Sequence, residues 1–516
     1  MDMAMVHINF LPSNYCVYQF DTIDIIILTS VGGRVNILKI TFYVISYWHK
    51  HRGLCIITMR NMRNEDKIKL KEKHIFSGVM LRALLFPLII EQILNSLMGT
   101  VDTVMVSNVG PAAMSAVSLV DSINILLIQA FAALAAGGCI VCSQYIGKKN
   151  EEAANQAARQ VLLVILVIST VIAVICLVFN RGILHLIFGS VEADVMEAGV
   201  TYFFYTALSF PFIALYNGGA AVYRAQGNAK RPMLISITSN FINIGGNALF
   251  IWVFRMGVTG VAVATLVSRV FSAVMVLLLL RKPGQMICVN HYRKLRPDKY
   301  LIGKILAVGV PSGVENSMFQ FGKLAIQSTV STMGTSAIAA QAMTNIMETQ
   351  NGVIAAGIGI GLMTVVGQCM GAGRKDEAVY YVRRLTLFAE IGIIINCLLV
   401  YALARPITQI GAMEPESAAL CLYMMGWITL FKPLLWVLSF VPAYGMRAAG
   451  DVKFSMLVST ASMWICRVSL CVFLVKAFHF GPMAVWIGMF TDWGVRAVIF
   501  TCRLHSKKWL EHKVIS

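Results

Sequence analysis

Charge is scarce in this chain of 516 residues. Only 13% are charged, against about 25% in a soluble domain, which excludes a string of water-soluble domains. Acidic residues are scarcer still, 25 against 43 Lys and Arg. In a soluble protein that surplus would suggest nucleic acid. Here the basic residues fall between apolar segments, where the charge asymmetry of a membrane accounts for them and no nucleic-acid partner is needed. The nine His are scattered, and neither an H-E-x-x-H nor a Walker loop occurs, so nothing indicates an enzyme or a resident cofactor. The twelve cysteines are dispersed, mostly within apolar runs, and imply no disulfide framework. Cys139 and Cys142 form a C-x-x-C without a second pair or a nearby His. They read as small packing residues rather than as a metal or redox site.

Hydrophobicity is what the chain has in excess: 58% of residues and a mean hydropathy of +0.72. Runs such as Val161–Phe179 and Val258–Leu280 approach the roughly 20 residues that a helix needs to cross the hydrocarbon core. From residue 78 to residue 503 twelve segments read as spanning helices, among them 196–223, 232–254, 338–369 and 452–476. Basic clusters follow the even-numbered segments: Lys148, Lys149 and Arg159, then Arg224, Lys230 and Arg231, then Arg374, Lys375, Arg383 and Arg384. The positive-inside rule then places both termini in the cytoplasm of a multi-pass plasma-membrane protein. Residues 1–77 stand apart, because Phe20–Val31 is short and is broken by Asp21 and Asp24. They read as a membrane-surface extension or as an upstream start, the native chain then beginning near Met59 or Met62.

The chain repeats itself. Pro87-Leu-Ile-Ile-Glu91 returns as Pro311-Ser-Gly-Val-Glu315, and at the same offset Gly110 meets Gly334, Gln144 meets Gln368, Gly147 meets Gly371 and Arg159 meets Arg383. Near the end of each half Arg224-Ala-Gln-Gly227 matches Arg447-Ala-Ala-Gly450 with one residue lost. Six spans per half is an even number, so both copies start from the same side, a parallel repeat about an axis along the membrane normal. The expected fold is an all-α membrane protein of two six-helix bundles related by a pseudo-two-fold axis. Its parts are an N-lobe (78–281), a cytoplasmic linker (282–302), a C-lobe (303–503) and a basic cytoplasmic tail (504–516).

The order and doubled spacing of Val101-Asp-Thr-Val-Met-Val106, Gln144-Tyr-Ile-Gly147, Gln368-Cys-Met-Gly371, Tyr223-Arg-Ala-Gln-Gly-Asn228 and Met446-Arg-Ala-Ala-Gly450 resemble the multidrug and toxic compound extrusion (MATE) family across residues 78–503. The resemblance implies a secondary active transporter. It would be a Na⁺- or H⁺-coupled antiporter exporting small organic, cationic compounds by alternating access, with the lipid bilayer and the organic substrate as partners and a monomer as the working unit. The competing expectation is a flippase for lipid-linked saccharides on a related plan. That activity needs a strongly cationic central cavity for a pyrophosphate, and Lys323, Arg467 and Arg496 are the interior basic residues noted for it.

An ionisable side chain at bilayer depth costs roughly 2.5–3.5 kcal/mol on insertion scales, so it needs a partner or water. Glu91, Asn95, Met98 and Asp102 are spaced to share one helical stripe, as are Asn240, Asn243 and Asn247. A carboxylate facing carboxamides is a hard-oxygen site for Na⁺ or, protonated, for H⁺; the alternative is hydrogen bonding between spans. The resemblance implies a coupling site at Asp102, Asn243, Asn247 and Thr265, with Asp102 the Na⁺ ligand if sodium is the coupling ion. Asn247 stands where the family's archaeal members have Asp. In the C-lobe Gln341, Asn345 and Glu348 repeat the stripe, and Glu315 and Lys323 lie on the preceding span. Lys323 is expected to neutralise Glu315 or Glu348, either as a pair that protonation breaks or as a permanent salt bridge. Asp492 is expected to pair with Arg467 or Arg496, and Glu390 is a further interior acid.

Overall fold

The computed structural model describes residues 8–11, 15–20, 23–28, 74–189, 191–289, 296–478 and 480–515. The choice of start at Met59 or Met62 lies outside them. Two compact units emerge, Met1–His74 and Ile75–Ser516. In the first, β1 (Ile8–Leu11), β2 (Tyr15–Phe20) and β3 (Ile23–Leu28) form an antiparallel meander, with Tyr15 opposite Leu28 and Ile8 opposite Tyr18. The apolar stretch that is too short to span is thus partly strand.

The second unit is helical. Among the described residues ten helices are long and apolar enough to cross a membrane, and the pair Ala193–Leu208 and Phe210–Ala225, bent by 41°, makes an eleventh. The one remaining expected crossing, the seventh in chain order, Lys299–Val330, has 32 residues, ample length at about 1.5 Å rise per residue. It falls short only in hydropathy, because Glu315, Gln320, Lys323 and Gln327 lie on it. In chain order the spans are Gly78–Ser107, Pro111–Gly147, Glu151–Val178, the bent pair, Lys230–Ala248 with a π turn over Leu249–Val253, and Gly257–Leu280. The C-lobe follows with Lys299–Val330, Thr335–Asn351 broken at Gly352 from Val353–Gly371, Lys375–Ile410, Pro415–Ala449, Val452–Phe478 with a π turn over Met463–Ser469, and Met483–His505. Each expected segment is present. Those read as continuous over 196–223 and 338–369 are jointed, and the fifth span of each lobe carries a π turn, a device often found at functional sites.

Local chemistry sets the helix starts. The Ser77 side chain caps Met80 N–H at 3.2 Å. Asn150 caps Ala153 at 2.9 Å, followed by Glu151 and Glu152 in the first turn, where negative charge meets the positive end of the helix dipole. The spans turn large apolar side chains outward: Val171, Val174 and Val178 of the third span are exposed, while Ala154, Ala157, Ala158 and Val161 are buried. Burial inside a lipid-facing bundle rewards close packing of small residues rather than greasiness. The lobes meet along the first two spans of one and the seventh and eighth of the other. A Cβ on Gly137 would stand 2.8 Å from the Gly309 nitrogen, and one on Gly357 would stand 3.0 Å from Ile89 Cα.

The ends of both lobes fold under their own bundle. Ile287 and Val289 of the linker are fully buried, and the Ile287 and Cys288 amides donate to Gln226 and Asn155. The segment expected as a basic tail contains a 3₁₀ turn, Lys508–Leu510, that buries Trp509 completely, and beyond it Val514 and Ile515 are buried as well. Apolar anchors among the charges, Ile287 and Val289 in the linker and Trp509, Leu510, Val514 and Ile515 in the tail, account for this docking.

Candidate functional site

Three constructions stand out inside the helical unit. The first is in the N-lobe. Asn247 Nδ2 donates to Asp102 Oδ1 at 3.1 Å and to Asn243 Oδ1 at 3.2 Å, and Asn243 Nδ2 donates to Thr265 Oγ1 at 3.3 Å. One chain of contacts therefore joins the first, fifth and sixth spans. It can form because Asn243 and Asn247 are one turn apart, so both carboxamides face the same neighbours. Asn247 Oδ1 is buried without a hydrogen-bond partner, a hard oxygen left beside a carboxylate. Asp121 and Arg269 are its electrostatic neighbours. Asp121 Oδ1 accepts from Asn124 at 3.0 Å and from Tyr202 at 3.3 Å, and Arg269 donates to Ser209 Oγ at 2.7 Å. Two carboxylates against one guanidinium leave the cluster one net negative charge, which a single Na⁺ or proton would balance. Among the described residues no three His, Cys, Asp or Glu converge on one point; the donors gathered here are one carboxylate, two carboxamides and a hydroxyl, all hard oxygens.

The second construction is a cleft of about 760 Å³. Its N-lobe wall is neutral, with Gln92, Asn95, Ser96 and Ser122, and its C-lobe wall carries Lys323, Glu348, Lys432 and Arg467 among Phe319, Trp436, Phe440 and Trp493. Glu348 pairs with Lys432, which also donates to the Glu348 carbonyl oxygen. Gln341 receives Trp486 Nε1 at 3.0 Å and donates to Asn345 at 3.2 Å. Asp492 is held bidentately by Arg496, at 2.8 and 2.9 Å, and receives Ser462 Oγ at 2.6 Å. Of its two expected partners, Arg496 is the one that pairs.

The third construction closes the end that bears the basic loops, and it is built twice. Arg224 pairs with Glu91 at 2.7 Å and Arg447 with Glu315 at 3.4 Å. In both pairs the second carboxylate oxygen and the guanidinium Nε are buried without a partner. Thus the first repeated motif of each half holds the last repeated motif of that half. Gly227 and Gly450, which end those last motifs, have φ of 78° and 105°, a left-handed turn suited to glycine. Across the lobes, Gln144 Nε2 donates to the Ala448 carbonyl at 2.8 Å, and Gln368 Nε2 to the Ala225 carbonyl at 2.7 Å. Both carbonyls lie in the last turn of a helix, where intrahelical donors run out, so each lobe's glutamine caps a helix of the other. Added Cβ atoms on Gly147 and Gly371 would collide with the backbones of Gln368 and Gln144 respectively. The lead-in to each lobe is strapped to the opposite one as well. Ile75 N–H reaches Glu377 at 3.0 Å and Tyr381 donates to Phe76 O at 2.9 Å, while Gln160 bonds Arg296 O at 2.8 Å and Asp298 N–H at 3.2 Å.

The structure joins Asp102, Asn243, Asn247 and Thr265 in one hydrogen-bonded chain and Gln341 to Asn345. It corrects three expectations. Glu91 belongs to the Arg224 pair and not to the Asp102 chain, because the fourth span delivers a guanidinium to it. Glu315 is likewise taken by Arg447. Lys323 pairs with neither Glu315 nor Glu348: its ammonium lies 5.1 Å from the Phe319 ring centroid, and Lys432 occupies Glu348. Glu390 is buried on the ninth span. Sequence reasoning missed Lys432 and Arg269, though each is a lone cation deep within a long apolar segment, which is itself a functional signal.

The MatE family model matches residues 87–249 and again 311–473, one match in each half. Among curated relatives, a "Probable multidrug resistance protein NorM" of Thermotoga maritima is 26% identical over 84% of this chain and 93% of its own length. An "Uncharacterized transporter YisQ" of Bacillus subtilis is 25% identical over 83% of this chain and 94% of its own. A solved outward-facing multidrug resistance MATE transporter superposes with a TM-score of 0.76 at 20% identity, covering 84% of this chain and 99% of that one.

Proposed function

We propose, from the premise that this chain belongs to the MatE family of multidrug and toxic compound extrusion transporters, that it exchanges a small organic compound for an inward-moving Na⁺ or H⁺. Like its family it is an integral membrane transporter that exports compounds. The observation that carries the coupling is the Asp102–Asn247–Asn243–Thr265 chain, which with Asp121 and Arg269 beside it has a formal charge of minus one. A site one charge short of neutrality in a membrane interior holds one monovalent cation well and a second poorly. The positive-inside rule puts the doubly clasped end in the cytoplasm, so the closed clasp and the cleft beyond it correspond to a state facing the outside of the plasma membrane. A cation taken at Asp102 there, and cargo taken when the clasp parts, would give exchange provided the two ligands favour different states. Both clusters and both halves of the clasp lie in one chain, so a monomer suffices.

The test is efflux of dyes of either charge from proteoliposomes under a Na⁺ gradient or a pH gradient, each imposed alone, with Asp102→Asn beside the unaltered protein. Efflux driven by one gradient and lost in Asp102→Asn is the expected result. Gradient-driven efflux unchanged by the substitution refutes the coupling site. Flipping of a lipid-linked saccharide is the second reading, favoured by the cations of the C-lobe wall, since a pyrophosphate would need them.

A further inference from the structure

Four charged side chains line the cleft, Lys323, Lys432 and Arg467 against Glu348, so its wall carries two net positive charges. One cation is accounted for, because Lys432 pairs with Glu348. The other two have no carboxylate within ion-pair distance among the described residues. Asp492, the other acid that acts on Arg467, gives both its oxygens to Arg496. Arg467 is 3% exposed, its Nε is buried without a partner, and its remaining polar contact is to the Met463 sulfur at 3.5 Å. Lys323 and Arg467 share one ring, each 5.1 Å from the Phe319 centroid. A π turn presents Arg467, since Met463–Ser469 replaces ordinary helix there. Two cations held on one aromatic ring inside a membrane protein, neither in an ion pair of its own, suit an anionic guest, since an interior charge needs a partner. Around them Trp436, Phe440 and Trp493 offer flat apolar walls.

Resting on the transporter reading above, we infer that this cleft binds an organic anion, a carboxylate, sulfonate or phosphate on an aromatic or apolar body, with Lys323 and Arg467 holding the acid group and the surrounding rings the body. The expectation of a cationic cargo came from family resemblance; the residues of this wall specify the opposite charge. The two lobes are then complementary in sign, a net negative cluster for the coupling cation in one and a net positive wall for the cargo in the other. The same chemistry serves a free anion or the acidic headgroup of a lipid.

A pair of xanthene dyes differing in charge, carboxyfluorescein and rhodamine 6G, separates the possibilities in fluorescence-polarisation titrations of the detergent-solubilised full chain. The anionic dye should bind more tightly than the cationic one. Lys323→Gln should weaken it on the order of tenfold to a hundredfold, as loss of a charge-assisted hydrogen bond does, and Lys323→Arg should restore most of the affinity. Lys323 is exposed to the cleft, so these variants leave the packed interior alone. Tighter binding of rhodamine 6G, or indifference of carboxyfluorescein to Lys323→Gln, overturns the inference. Proteoliposomes then divide it from the reading beneath it. Anion bound but moved by neither gradient means the anion site stands and the antiport reading fails; cationic dye exported without anion binding means the reverse. Competition by a short-chain phosphatidylglycerol stronger than that by free carboxylates would support the inference and name a lipid headgroup as the source.

Discussion

Replacing Gln144 by Leu keeps the volume and removes one donor, so it tests the clasp directly. The Gln144 amide caps the Ala448 carbonyl at 2.8 Å, and that carbonyl is buried in the last turn of its helix. Losing the cap costs the closed state about 1–3 kcal/mol, the penalty of a stranded buried acceptor. When the basic end opens, water solvates the same carbonyl and the penalty vanishes. The closed-to-open ratio should therefore fall about 5- to 150-fold. Cys139 reports on it without added labels: it is 3% exposed and its sulfur lies 3.7 Å from Thr364 Oγ1 across the lobe contact. Mass spectrometry should find its alkylation rate raised by that factor in Gln144→Leu, with exposed Cys502 as the internal standard. Gln368→Leu should do the same, because its bond to Ala225 is the repeat-related copy. Unchanged Cys139 reactivity in both folded variants would refute the idea that these amides hold the end shut.

Two further outcomes follow from the ion pairs. Glu348→Gln leaves Lys432, 1% exposed, as an unpaired buried cation, and should destabilise the chain by about 3–5 kcal/mol; a melting temperature within a degree or two of the unaltered protein would contradict the pairing. Glu91→Gln should lower stability in the same sense by stranding Arg224 while leaving intact which gradient drives efflux, since Glu91 stands outside the Asp102 chain. A switch of driving ion in this variant would return Glu91 to the coupling site.

Much of the fold is written in one dimension. Hydropathy marks most of the spans, and the offset of 224 residues between Glu91 and Glu315, or Gly147 and Gly371, marks two copies of one bundle and so supplies the polar seventh span. The stripe of Asn243 and Asn247 is legible too, because helical periodicity alone puts them on one face. So are interior charges such as Asp102, Lys323 and Glu348; Lys432 and Arg269 carry the same signal, a lone cation in an apolar segment, and were overlooked.

Which charge meets which was decided by packing. Glu91 and Asp102 share a stripe in sequence, yet they finish in different structures, because the fourth span brings Arg224 to one and the fifth brings Asn247 to the other. Lys323 has two acids within plausible reach along the chain and receives neither, since the tenth span inserts Lys432 and the motif at its end inserts Arg447. The repeated motifs announce themselves by recurrence, but their purpose, a reciprocal grip of glutamine on the opposite lobe's helix end, exists only once the copies face each other. Periodicity fixes what a helix offers on each side; the partner across the interface depends on distances between segments hundreds of residues apart, and only the assembled bundle sets those.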